Sequence, residues 1–217
     1  MKKVLKSILH IIYIFVGKIV CNFKLLKHII RDEKNPPEEE AILFVAHPDD
    51  DALFFNKFII ENKPYVVLLY TGWSLKRLKD FENVMNHYGV RFRAYATLSK
   101  YPYDYKEVRH ITEKHIKKSL KTGNFKTVAT HNSTGEYGHT AHKVVHESVF
   151  KVCENNNYEM LCPVSVDEIG NYPLSEEELI GKRMIFEDYY KSEAWVMTEE
   201  EAKTPIWFRN EKLERVV

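Results

Sequence analysis

At 217 residues, with 44% hydrophobic and 29% charged content, the chain can bury one sizeable core. Three cysteines, Cys21, Cys153 and Cys162, exclude an even disulfide framework and lack CxxC-type spacing, so they point to a reducing compartment for the folded domain. The net charge of +1 hides a segregation: residues 1–31 hold seven Lys or Arg and no acidic residue, and the remaining 25 basic residues face 31 acidic ones.

In chain order, residues 1–31 come first. Wound as a helix, they place Lys2, Lys3, Lys6, His10, Lys24, Lys27, His28 and Arg31 in one polar stripe, mostly opposite Ile, Leu, Val and Phe. Such a basic amphipathic helix suits the plane of an anionic membrane surface. The longest charge-free run covers residues 7–17, short of the ~20 residues that span a bilayer. Nucleic acid is a poorer partner, because arginine is nearly absent there and no recognised reading module is present. Residues 32–40, DEKNPPEEE, read as a stiff polar linker, and residues 41–217 as one folded domain.

Within that domain, strands are predicted near 41–46, 65–70, 91–98, 126–131 and 159–164, and helices near 51–62, 74–88, 106–121, 138–155 and 175–191. The alternation predicts an α/β fold with a Rossmann-like doubly wound, mostly parallel sheet. Ser175 followed by Glu178 predicts a capping box at the start of the last helix.

Two clusters carry chemistry. Residues 41–55, AILFVAHPDDDALFF, run from a continuous apolar strand into His47, Pro48, Asp49, Asp50 and Asp51. Pro48 ends the strand, which sets the polar side chains in the crevice beyond the carboxyl end of the sheet. Capping of a helix N-terminus is the plainer use of these aspartates. Residues 131–146, HNSTGEYGHTAHKVVH, follow a second short strand. Gly135 and Gly138 permit tight turns, and His139 and His142, three apart, project from one helix face, with His146 a turn further on. A solvated or core-satisfied histidine face is the alternative there.

Taken together, residues 46–51 (AHPDDD) and 137–142 (YGHTAH) make residues 40–195 resemble the LmbE-like or PIG-L family of zinc-dependent N-acetylglucosaminyl deacetylases. The resemblance implies a metal bound by His47, Asp50 and His142, with Asp49 as general base, Tyr137 and His139 as donors to the oxyanion, and Arg77 contacting substrate. It implies zinc, with Fe2+ or another divalent ion also compatible with mixed N/O ligands. An ion pair with Asp80 on the helix surface is the other use for Arg77. His139 is expected as an imidazolium favoured by Asp49. Asp51 stands where the family usually has glutamate, and no glycine follows the aspartates until Gly72.

The expected activity is removal of acetate from an N-acetylglucosamine conjugate, lipid-linked or soluble, by a membrane-associated enzyme whose catalytic domain is cytoplasmic. A metal amidase on another acyl amide and a noncatalytic sugar- or lipid-binding module are the alternatives.

Overall fold

The computed structural model describes residues 16, 19, 20, 22–25, 32, 34–71, 74–97, 105–154, 156–197 and 205–217. Most of the expected N-terminal helix, together with Cys21, Gly72, residue 98 of the third predicted strand and Asn155, lies outside the described residues.

Six strands form one sheet: β1 (Ala41–Val45), β2 (Tyr65–Leu68), β3 (Phe92–Ala94), β4 (Thr127–Thr130), β5 (Glu159–Pro163) and β6 (Leu213–Arg215). Their spatial order is β3-β2-β1-β4-β5-β6. The first five pair in parallel, and β6 runs antiparallel along β5. Order and direction match the doubly wound α/β fold expected from the alternation of elements. β6 was not foreseen, because three residues reading Leu-Glu-Arg carry no strand signal.

The α-helices are α1 (Asp50–Asn62), α2 (Leu75–Tyr88), α3 (Tyr105–Leu120), α4 (Thr140–Cys153), the short α5 (Val166–Ile169), α6 (Glu176–Asp188) and α7 (Pro205–Arg209), with a 3-10 turn at Lys191–Met197 before α7. Serine caps open two helices, the second as predicted. Ser74 accepts from the Arg77 amide to cap α2, and Ser175 with Glu178 forms the capping box of α6.

Strand side chains alternate between two buried layers. Leu43, Val45, Val66 and Leu68 join Leu53, Phe54, Leu78, Phe81, Ile185 and Phe186 on one face. Ile42, Phe44, Tyr65 and Val67 join Val108, Ile116, Val144 and Val149 on the other. Both faces are covered, so the strands are continuously apolar and give no period-2 pattern. Lys182 of α6 is fully buried, and its Nζ donates to the carbonyls of Leu53 at 2.6 Å and Trp207 at 3.1 Å, tying α6 to α1 and α7.

Residues 32–40, read as a linker, begin with a buried anchor. Both oxygens of Asp32 are engaged: Oδ2 accepts from Tyr65 Oη at 2.5 Å and from Arg93 Nη2 at 2.9 Å, and Oδ1 from Arg91 Nη2 at 3.2 Å. These partners lie at the amino ends of β2 and β3. Leu25 is also buried in the core layer that holds α1 and α2. Among the described residues, no helix is long and apolar enough to cross a membrane.

Candidate metal and hydrolytic site

The sheet order reverses at β1, whose neighbours are β2 and β4. Crevices form where adjacent strands send their chains in opposite directions. The carboxyl ends of β1 and β4 lead into the two histidine segments, and the fold brings these together.

At the end of β1 the chain turns tightly. The His47 amide donates to Asp50 Oδ2 at 2.7 Å, and His47 Nδ1 lies 3.5 Å from the same oxygen. Asp49 occupies the N-cap of α1 with φ 106° and ψ −30°, a strained backbone for a residue bearing a Cβ. Its side chain makes no capping hydrogen bond. Oδ1 of Asp49 instead accepts from Arg77 Nη2 at 3.3 Å. The capping explanation for these aspartates therefore fails at Asp49. Asp50 and Asp51 fill the first turn of α1, where the helix dipole favours carboxylates.

At the end of β4 the chain folds back through Gly135 (φ 68°), Glu136 (φ 54°) and Gly138 (φ 95°) before α4 begins. A Cβ on Gly135 would lie 2.5 Å from the carbonyl oxygen of His139, so this turn excludes a side chain there. His139 caps α4, its Nδ1 accepting from the Ala141 amide at 3.2 Å. His142, one turn in, is fully buried.

Two overlapping donor groups with metal-binding spacing result: His47, His139 and His142, and Asp50, His131 and His142. The ligand set implied by the family resemblance takes His47 from the first, Asp50 from the second, and His142 from both. Asp50 links all three, with Oδ1 at 3.3 Å from His142 Nε2 and Oδ2 at 3.5 Å from His47 Nδ1. Hydrogen bonds distinguish His131, although its Nε2 also lies 3.4 Å from Asp50 Oδ2. Its Nε2 accepts from the Ala46 amide at 3.0 Å, and its Nδ1 faces Glu136 Oε2 at 3.2 Å, so both ring nitrogens are engaged. His142 differs. Nδ1 lies 2.6 Å from Glu136 Oε2, while Nε2 is buried without a hydrogen-bond partner and faces Asp50. An orphaned imidazole nitrogen opposite a carboxylate fits a divalent cation.

The electrostatics agree. Burial opposes the charge on Asp50, but His142, His131 and His47 around it hold its carboxyl well below the usual range. Burial likewise opposes a charge on His142, yet Asp50 and Glu136 on either side push it up to about 10. The pocket favours a positive charge beside Asp50, in the form of a proton or a metal. Burial and the Asp50 charge raise Asp49 well above the ordinary carboxylate, with Arg77 opposing.

One expectation and one alternative are set aside. Burial, then His142 and His47, lower His139 to about 4, and the Ala141 amide occupies its Nδ1, so this ring is neutral with Nε2 left as the donor nitrogen. Arg77 does not pair with Asp80, which Lys76 takes at 2.7 Å. Arg77 turns inward to the Pro48 carbonyl at 2.9 Å and to Asp49, with Glu193 Oε1 at 3.7 Å from its Nε. Tyr137 stands on the cleft wall, its ring 5.7 Å from that of His142 and 5.9 Å from that of His139. His146 lies outside the donor groups and donates from Nδ1 to the His131 carbonyl at 2.8 Å.

Sequence reasoning passed over His131, Glu136 and Glu193. Glu136, between the two turn glycines, is buried and held down to about 2 despite desolvation by His131 and His142. A carboxylate placed inside a glycine turn was the available signal. Cys153 and Cys162 are buried and free, with burial pushing Cys153 up to about 12.

No family model matches the chain. It is similar to an uncharacterised protein of Acanthamoeba polyphaga mimivirus, 27% identical over 136 residues, a match covering 55% of this chain and 60% of that protein. The crystal structure of the antimicrobial reagent A40926 pseudoaglycone deacetylase Dbv21 superposes with a TM-score of 0.58 at 12% identity, covering 74% of this chain and 85% of that one. The likeness to Dbv21 is one of fold.

Proposed function

We propose that the protein is a metal-dependent hydrolase that removes acetate from an N-acetylglucosamine-containing substrate, with zinc as the ion, held by His47, Asp50 and His142. The observation that carries this reading is the buried, unpartnered Nε2 of His142, aimed at Asp50 while its other nitrogen is held by Glu136. A deacetylase of known structure shares the fold, which supports the reaction class. Zinc in such a site supplies a Lewis acid that polarises an amide carbonyl and lowers the pKa of water toward ~7.

The chain's own residues supply the rest. Asp49, with its side chain released from capping and turned toward Arg77, accepts the proton of the attacking water. Arg77 bridges Asp49 and the Pro48 carbonyl and so fixes the base, while its guanidinium edge offers a fork to hydroxyl or anionic groups of the substrate. His139, neutral with Nδ1 occupied, donates from Nε2 to the developing oxyanion, and Tyr137 donates from the same wall. A neutral donor serves this purpose, since one preorganised hydrogen bond to an oxyanion contributes roughly 10²- to 10³-fold in rate.

Association with an anionic membrane surface through residues 1–31 and a lipid-linked aglycone belong to the same reading, and rest on the charge segregation of the sequence. The test is metal analysis beside an acetate-release assay over lipid-linked and soluble N-acetylglucosamine conjugates. Asp49→Ala is expected to keep zinc and lose turnover, and His142→Ala to lose zinc. Equal turnover in wild type and Asp49→Ala overturns the mechanism.

A further inference from the structure

We infer that Glu136 is the positioning residue of the site: one carboxylate sets the tautomers of His131 and His142 together, and through them presents the metal-facing nitrogen and pins the end of β1. The inference rests on the metal reading above for His142, but not for His131.

Oε1 of Glu136 accepts from the Asn132 amide at 2.9 Å, which fixes the rotation of the carboxylate. Oε2 then faces two ring nitrogens, Nδ1 of His142 at 2.6 Å and Nδ1 of His131 at 3.2 Å. A carboxylate oxygen only accepts, so both rings carry their proton on Nδ1. For His142 this leaves Nε2, 3.3 Å from Asp50, as the nitrogen that takes either a metal or a second proton. For His131 it makes Nε2 an acceptor for the Ala46 amide at 3.0 Å, closer than the 3.4 Å to Asp50 Oδ2.

The second link has a topological purpose. Paired residues of β1 and β4 end at Phe44 and Thr130, and beyond them the chains part toward opposite faces. The Ala46 carbonyl is still taken by the Tyr70 amide, but its N–H has passed the end of β4. The His131 ring reaches across 85 residues of sequence to accept it, so the residue preceding His47 is fixed by the same carboxylate that orients His142.

Glutamine tests this sharply, because it keeps shape and reverses one hydrogen-bonding group. With Oε1 kept on the Asn132 amide, the new NH2 meets both Nδ1 atoms and forces both rings to the Nε2–H form. Turned over, the NH2 meets the Asn132 N–H. Either arrangement costs the protein one half of the network.

The experiment compares wild type and Glu136→Gln by 15N-histidine NMR, by zinc affinity in chelator competition, and by urea midpoint. Expected are an Nδ1–H tautomer at His131 in wild type, its switch to Nε2–H in Glu136→Gln, and zinc binding weakened ~10- to 100-fold. A merely structural role moves the urea midpoint and leaves zinc affinity unchanged, and that result overturns the inference. If Glu136→Gln fails to fold, the wild-type spectrum decides: a proton on Nε2 of His131 overturns the proposal, and one on Nδ1 supports it. A wild type that binds no zinc defeats the metal reading, while the tautomer of His131 is still read independently.

Discussion

The hydroxyl of Tyr190 donates to Oδ1 of Asp51 at 2.8 Å, joining the first turn of α1 to the end of α6 across 139 residues. The same oxygen accepts from the Asp49 amide at 3.2 Å, and Oδ2 is buried without a partner. Burial raises the Asp51 carboxyl to about 7 against the opposing Tyr190 hydrogen bond. Tyr190→Phe removes this hydroxyl from the carboxylate and is expected to cost about 1–3 kcal/mol of stability, measured by urea unfolding.

Asp49 holds φ at 106°, where glycine is at ease and a β-carbon is not. Asp49→Gly is therefore expected to stabilise the metal-free protein by about 1 kcal/mol, after allowing for glycine's greater freedom in the unfolded chain, while abolishing acetate release. Calorimetry and the assay on the same sample check both halves. A less stable Asp49→Gly protein would falsify the claim that strain is stored at the base.

Much of this was legible beforehand, for reasons that differ between residues. The apolar run ending at Pro48 located His47 and Asp50, and a three-residue helical spacing placed His142 on an inward face. Those signals are local. The partner of Arg77 was not, because Asp80 at i+3 and Asp49 across the cleft are equally good anions and only the packing of α2 decides. The tautomers of His131 and His142 depend on an amide 85 residues from one ring and a carboxylate in an irregular turn. The positive φ of Asp49 is also silent in sequence, since aspartate at that point reads as an ordinary cap.

Arg77 has been placed to hold the Asp49 side chain against the Pro48 carbonyl. Lysine keeps the charge and loses the fork, so Arg77→Lys is expected to retain zinc while lowering turnover by roughly 10²-fold, the scale on which small misplacement of a catalytic group is felt. Steady-state kinetics beside metal content is the measurement.

His115 supplies a pH dependence remote from the cleft. Its ring stacks on Tyr95 with centroids 3.8 Å apart, and Nε2 lies 3.1 Å from Thr97 Oγ1. Burial, aided by Lys114 and Lys118, lowers it from 6.5 to about 4. Between those values the unfolded chain binds the extra proton and the folded one does not. This contribution is thus complete above pH 6.5 and is lost as pH falls toward 4. His115→Gln is expected to flatten the stability profile over that interval in thermal melts run from pH 7 to pH 4.

Asp32 is fully engaged with Tyr65, Arg91 and Arg93. Asp32→Ala leaves the buried Arg93 without its carboxylate and is expected to cost about 3–5 kcal/mol, measured by urea unfolding. Turnover per folded molecule is expected to stay unchanged, because the pair sits away from the cleft.

The rivet at Asp32 also orients the molecule. It is driven in at the amino ends of β2 and β3, whereas the cleft opens beyond the carboxyl ends of β1 and β4. Asp32 therefore lies at the pole opposite the donor groups. One end of the sheet thus secures the chain while the other holds the donor groups, so each can be altered without disturbing the other.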